Sequence, residues 1–294
     1  MITRRAALLG LSAVSAGSAA PSYRIIDPHI HVWKKDPVYP WAEGVTPPQD
    51  DQTPEMMISN LRSNGVEMAV IIQVRYYLFD NSYVRDVVKK YPRYFIGVCR
   101  VNPTDPAAPD HLSRLVKEEK FQGVRLSPNG TPPGEWITDA ALMKPLWKRC
   151  QDLKVPMTIL SPITNIPHVA KLVEQFPDLT VVIDHMADTP LDQPEQFSHL
   201  LELARYPKVF VKTSHTWLLS KQNYPWADAQ VYVKKLYDQF GPKRLMWASD
   251  WPMCESKTTY GSTLSSVRDD MKFLNEDDKG WILGKTAERV WKLR

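Results

Sequence analysis

The 294-residue chain has only three cysteines, Cys99, Cys150 and Cys254, and they lie far apart. Such a set provides neither a disulfide framework nor a paired-cysteine metal site, and buried small hydrophobes are their expected role. A block of Lys and Arg is also missing. The net charge of +4 is spread along the chain, and there is no RNA-recognition or zinc-finger spacing, so nucleic acid is not an expected partner. No glycine follows the first apolar run, where an open nucleotide-binding sheet carries its phosphate turn. The remainder, 43% hydrophobic and 24% charged, is that of an ordinary soluble globular protein.

The first twenty residues, MITRRAALLGLSAVSAGSAA, stand apart. A basic start, a short apolar middle and small residues up to Ala20 outline an export signal. Arg4-Arg5 after Thr3 resembles a bacterial twin-arginine signal. The apolar part is too short for a membrane span. The expectation is therefore an exported, periplasmic protein with residues 1–20 as signal and 21–294 as one domain.

The rest shows a single rhythm of short branched apolar runs, each followed by an amphipathic stretch. The runs are Tyr23–Asp27, Met68–Val74, Phe95–Val101, Gly123–Leu126, Pro156–Leu160, Thr180–Ile183, Val209–Lys212 and Leu245–Ala248. Continuous apolar runs suit parallel strands covered on both faces. Helical patterns fall at Glu55–Asn64, Ser82–Lys90, His111–Glu119, Leu142–Asp152, Ile166–Phe176, Glu195–Arg205, Ala227–Phe240, Ser262–Asn275 and Asp277–Lys292. Eight strands alternating with helices at this length predict an α/β fold, a (β/α)8 TIM barrel. An open doubly wound sheet is the alternative. No Pro/Gly/Ser linker divides the chain. The proline-rich stretches Thr46–Pro54 and Pro128–Gly134 read as loops at the barrel mouth.

In such a barrel the chemistry lies at the carboxyl ends of the strands. The first run leads into Asp27-Pro28-His29-Ile30-His31, and on an extended chain residues i and i+2 face the same way. Later strand ends supply Gln73 and Arg75, Arg100 and Asn102, Arg125, Ser161, Asp184 and His185, Lys212, Ser214 and His215, then Ser249 and Asp250. His29, His31, His185 and Asp250 form a donor set suited to one divalent transition ion such as zinc. A metal-free site is also open, with the histidines polarising a carbonyl and Asp250 activating water. Arg75 and Arg125 suit a substrate carboxylate, or else serve as ion-pair partners. His111, His168 and His199 fall inside helical stretches and read as surface or packing residues. The aromatics Tyr39, Trp41, Trp136, Trp217 and Trp251 suit either a flat ring or the core.

Several segments taken in order carry a resemblance: DPHIHVW, YPW at Tyr39–Trp41, QVRYYLFDNSY from Gln73, GVRLSP from Gly123, DHMAD from Asp184 and FGPKRLMWASDWPMCE from Phe240. Together they resemble the amidohydrolase superfamily, in its amidohydrolase-related branch and nearest its lactonases. The resemblance implies a distorted barrel that hydrolyses a cyclic ester. It implies His29 and His31 as the first-strand pair and His185 as the sixth-strand histidine. Asp250 becomes the catalytic aspartate, with Arg75 and Arg125 as substrate binders. Members differ on metal, so one divalent ion and a metal-free site both stay open. The chain departs from the pattern in having Gln73 where sugar lactonases carry glutamate, no lysine at the fourth strand end, and His215 where a glycine is common. His215, Tyr39 and Trp41 are then expected to shape a pocket for a small lactone with an acidic or ring substituent. A decarboxylase on the same scaffold and a non-catalytic binding barrel are the rival readings.

The export expectation has a direct check. Fractionated cells should hold the protein outside the cytoplasm, and Arg4→Lys/Arg5→Lys should retain it inside.

Overall fold

Eight short apolar runs become strands because branched side chains fill both faces of a sheet buried on both sides. They are β1 (Ile26–Ile30), β2 (Met68–Ile72), β3 (Phe95–Arg100), β4 (Val124–Leu126), β5 (Met157–Ile159), β6 (Val181–Ile183), β7 (Val209–Lys212) and β8 (Leu245–Met246). The structure, a computed structural model, describes residues 23–128 and 134–293. Residues 1–20, expected to be an export signal, and most of the Pro128–Gly134 loop lie outside the described residues.

Each strand pairs in parallel with the next, in the order β1 to β8. The ends then meet. Ile30 bridges Trp251 in parallel, the Asp250 amide donates to the His29 carbonyl at 3.1 Å, and the His31 amide donates to the Trp251 carbonyl at 2.7 Å. This is the (β/α)8 barrel, and the open-sheet alternative is excluded because the first strand is joined to the last.

Crossover helices cover the outside: α1 (Pro54–Asn64), α2 (Ser82–Lys90), α3 (Ala108–Lys117), α4 (Ala140–Leu153), α5 (Ile166–Gln175), α6 (Phe197–Glu202), α7 (Thr216–Leu219) and α8 (Ala227–Phe240). The start of α1 shows the local logic. Thr53 accepts from the Met56 amide, Pro54 opens the helix, and Gly65 at φ 66° ends it, as cap preferences require. The chain finishes with α9 (Tyr260–Ser265), α10 (Glu276–Gly280) and α11 (Thr286–Trp291). Two long helices were expected there. Instead π-helical turns at Ser266–Asp270 and Trp281–Lys285 interrupt the run. The second seats Gly284 directly on the backbone leading into β1, where an added Cβ would lie 2.0 Å from the Arg24 carbonyl oxygen.

The barrel has two apolar layers. The outer one lies between strands and helices. The inner one combines Ile26, Val70, Ile72, Val98, Val182, Phe210 and Met246 with Ala287, Val290 and Trp291 of α11. α11 therefore stoppers the amino-terminal end of the barrel. Arg24 pins it, binding Glu288 at 2.7 Å and Glu67 at 2.8 Å. The inner layer also sets the chemistry above it. Strand side chains alternate faces, so Arg100, Asp184 and Lys212, two residues beyond Val98, Val182 and Phe210, share the interior direction of those residues.

β1 departs from the expected run at Tyr23–Asp27. It begins at Ile26 and continues through His29. Its register against β2 slips between Asp27, paired with Ala69, and Ile30, paired with Ile71. Three residues oppose two there, which is a bulge, and Pro28 sits in it, where the missing N–H is tolerated. The bulge resets the alternation, so that Ile26 below and His29 above both enter the barrel.

Candidate active site

His29, His31 and Asp250 meet at the seam between β1 and the end of β8. The two Nε2 atoms are 3.3 Å apart, and each lies 3.4 Å from Asp250 Oδ1. His31 Nδ1 donates to the Ile72 carbonyl at 2.7 Å, which leaves its Nε2 with a lone pair. Asp250 Oδ1 is buried and accepts no hydrogen bond among the described residues. Tetrahedral zinc with ligands at ~2.0–2.1 Å holds them about 3.3 Å apart, so the spacing and the orphaned oxygen fit such an ion.

Behind this node lies a buried ionic web. Asp184 Oδ1 meets Lys212 Nζ at 2.9 Å and His29 Nδ1 at 3.4 Å, while Oδ2 accepts from Arg125 Nε at 3.1 Å. Burial alone would raise the Asp184 pKa, but Lys212, His29 and Arg125 hold it well below the usual carboxylate range. Burial and the Lys212 charge push His29 down to about 3, so the ring is neutral. Its tautomer follows its neighbours. Lys212 Nζ, which can only donate, lies 3.1 Å from Nδ1 and favours the proton on Nε2. With the proton there, the ring can donate toward Asp250 or a ligand. With the proton on Nδ1 instead, facing Asp184, the Nε2 lone pair is free for a metal.

His185 begins a left-handed turn, His185-Met186-Ala187-Asp188, with φ of 53°, 53°, 56° and 44°. Its Nδ1 meets Ser214 Oγ at 2.7 Å. Its ring stacks on His215 with centroids 3.6 Å apart and planes 4° from parallel. His215 Nδ1 faces Asp188 Oδ1 at 2.7 Å and its Nε2 faces Asp250 Oδ2 at 2.8 Å. Burial opposes a charge on His215, but the two carboxylates outweigh it and raise its pKa to about 9. Burial likewise opposes ionisation of Asp250, yet the surrounding histidines, His185 foremost, hold its pKa well below the usual range. His215 at φ 66° and Asp250 at φ 57° are left-handed too. Such strain in residues other than glycine is held only where the surroundings dictate it.

A cavity of about 530 Å³ opens over these groups, lined by His31, Arg75, Tyr76, Arg100, Arg125, Ser127, His185, Asp188, His215 and Asp250 among others. Of the residues singled out in the sequence, His31, His185, Asp250, Arg125, Arg75 and His215 line it, and His29 lies buried behind His31 and Asp250. His185 does not share one coordination set with His31; it groups with His29 and Asp184, or with His215 and Asp250. His215 is tied to both carboxylates rather than free for a ligand. Tyr39 and Trp41 are not brought to the cavity. The Tyr39 hydroxyl bonds Asp86, and Trp41 stacks on Tyr77 at 4.9 Å; Tyr76 stands at the rim instead. Arg100 and Lys212 stand among the strand-end residues of the sequence without an assigned role, and Asp188 lies in its DHMAD segment. Their strand parity and the DHMAD turn carry the signal that finds them.

The barrel and its histidine–aspartate node define a class of enzyme scaffold, and the chain belongs to the amidohydrolase family, whose model matches residues 26–293. It is 26% identical over 283 residues to an L-fucono-1,5-lactonase of Burkholderia ambifaria, covering 91% of this chain and 95% of that one. It is 26% identical over 231 residues to a 4-sulfomuconolactone hydrolase of Rhizobium radiobacter, covering 77% and 75%. In fold it is similar to a probable 2-pyrone-4,6-dicarboxylic acid hydrolase from Acinetobacter baumannii with citric acid bound, with TM-score 0.78, 20% identity, and 92% and 100% of the two chains covered. A Burkholderia multivorans amidohydrolase with bound zinc is similar to the same degree, again with TM-score 0.78, 20% identity and the same coverage.

The His215 geometry has a consequence for stability. A group whose pKa is raised from 6.5 to about 9 on folding stabilises fully below pH 6.5 and loses that contribution as the pH climbs through 9. Urea unfolding of wild type should therefore weaken over this interval relative to His215→Gln. The expected difference is on the order of 3 kcal/mol, since a tenfold change in proton affinity is worth about 1.4 kcal/mol. Parallel curves for the two proteins would contradict the bridged imidazolium.

Proposed function

We propose that this protein hydrolyses a lactone bearing an acidic group, with Asp250 as the base that activates water. One observation carries the reading. Asp250 is a buried carboxylate, fixed through Oδ2 by His215, whose other oxygen is unbonded and faces the first-strand histidines beneath the cavity. A base needs that combination of ionisation, fixed orientation and a free lone pair. The names of the relatives support the same bond type, since lactones appear in two of them.

In this reading the lactone carbonyl lies against His31 and His185, with His29 buried behind them. The Ser214 hydroxyl can donate to His185 Nδ1, which leaves Nε2–H to donate to the carbonyl oxygen as it gains charge. Asp250 takes one proton from water as the oxygen adds to the carbonyl carbon. The ring C–O bond then breaks, and the proton on Asp250 passes to the departing alkoxide, giving a hydroxy acid. A divalent ion held by His29, His31 and Asp250, zinc by donor type, would polarise the carbonyl and acidify water when bound. Arg75 and Arg125 line the cavity and are suited to an acidic substituent, because their forked donors match a carboxylate. The acidic groups in the names of two relatives, a sulfomuconolactone hydrolase and a probable pyrone dicarboxylic acid hydrolase, support that part.

Wild type and Asp250→Asn should be run against a panel of acidic and neutral lactones with a pH indicator, after chelator treatment and with zinc restored. Wild type should release acid. Asp250→Asn should lose roughly 10³-fold in turnover, the scale of a lost general base, while keeping its circular dichroism spectrum. Comparable rates in the two proteins would overturn the assignment, and a zinc-dependent rate would place the ion in the working enzyme.

A further inference from the structure

The cavity contains a cation for which the proposed reaction has no use. Arg100 ends β3 with its side chain in the barrel interior, and only 5% of it is exposed. Among the described residues its guanidinium meets no hydrogen-bond acceptor and no carboxylate; it lies only over the Phe79 ring, 5.7 Å from the centroid. The carboxylates of the site face other cations and not Arg100. Asp184 holds Lys212 and Arg125, while Asp188 and Asp250 hold His215. Burial and the neighbouring Arg125 charge lower the Arg100 pKa to about 10, which leaves it charged at neutral pH.

Its mounting is rigid. The Asn81 side chain accepts from the Arg100 amide at 2.9 Å and donates to the Arg100 carbonyl at 2.9 Å. A buried charge without a counter-charge is strongly unfavourable, and a ligand that supplies the counter-charge recovers that cost on binding. Arg75, at the exposed rim of the same cavity, also meets no carboxylate among the described residues and lies over Tyr76 at 5.6 Å.

We infer that Arg100 forms a second, buried anion subsite in the substrate pocket, so that the substrate carries two anionic groups. The inference rests on the reading of this cavity as the lactone pocket. One unpaired guanidinium stands at the mouth and one inside, beside Arg125, and each calls for an oxyanion. A neutral sugar lactone would leave Arg100 buried and unpaired. A carboxylate and a sulfonate both present the oxygens that its planar fork accepts.

Binding of inert probes tests this without turnover. Wild type, Arg100→Met and Arg100→Lys are titrated calorimetrically with benzoate, benzene-1,3-dicarboxylate and 3-sulfobenzoate. Wild type should bind at least one of the dianions roughly 30-fold more tightly than benzoate, the scale of one charged hydrogen-bonded contact, and the preferred dianion identifies the oxyanion. Arg100→Met should bring that preference to within about 3-fold while still binding benzoate, which shows an intact pocket. Arg100→Lys, which keeps the charge, should retain part of it. An undiminished dianion preference in Arg100→Met, or none in wild type, overturns the subsite. Since no lactone is opened in this experiment, its failure is separate from any failure of the hydrolase reading.

Discussion

The site depends on the seam where the end of β8 is drawn against β1. Asp27, fully buried, holds it. Its carboxylate accepts from the Ser249 amide at 3.2 Å, the Ser249 hydroxyl at 2.5 Å and the His29 amide at 3.1 Å. Burial raises its pKa to about 6 against the pull of those donors. The same seam pairs the Asp250 amide with the His29 carbonyl. One interaction therefore fixes the first-strand histidines and the proposed base relative to each other. Displacement of either would separate His29 Nε2, His31 Nε2 and Asp250 Oδ1, which now lie 3.3–3.4 Å apart.

Around the seam the protein gathers charges that a stable core would avoid. Asp184, Lys212 and Arg125 are all buried, and replacing a buried ionic cluster with apolar groups commonly costs nothing or stabilises. Left-handed backbone at His185, His215 and Asp250 adds strain in the same place. Both features make sense as orientation: Lys212 and Asp184 fix the His29 ring from behind, and His215 fixes Asp250 from the side. The apolar stopper beneath reaches the web as well, since Lys212 Nζ lies 5.5 Å over the Trp291 ring. Packing of α11 and electrostatics of the site are thus mechanically joined.

Much of this was legible in the sequence because the barrel repeats one simple signal. Branched runs gave the strands, and the polar residues after them gave the mouth. The HxH spacing correctly put His29 and His31 together. The bulge at Pro28 was not legible, since it depends on how β1 registers against β2. The broken C-terminal helices escaped for a similar reason: helical periodicity does not report that Gly284 must rest on the Arg24 carbonyl. Tyr39 and Trp41 look like ligand stackers by type, but Asp86, Tyr83 and Tyr77 engage them. Arg100 was visible at a strand end, yet its lack of a partner is a fact of three dimensions. The opposite holds for His215, whose two carboxylate partners come from β6 and β8 turns distant in sequence.

The central claim is that water, activated at Asp250, opens an ester ring. Isotope tracing tests it most directly: an acidic lactone is incubated with the protein in ¹⁸O-water and the product is read by mass spectrometry, with the headspace analysed for CO₂. The account predicts one ¹⁸O in the new carboxyl group, an unlabelled hydroxyl group and no CO₂. Release of CO₂, or label in the hydroxyl group, would contradict it.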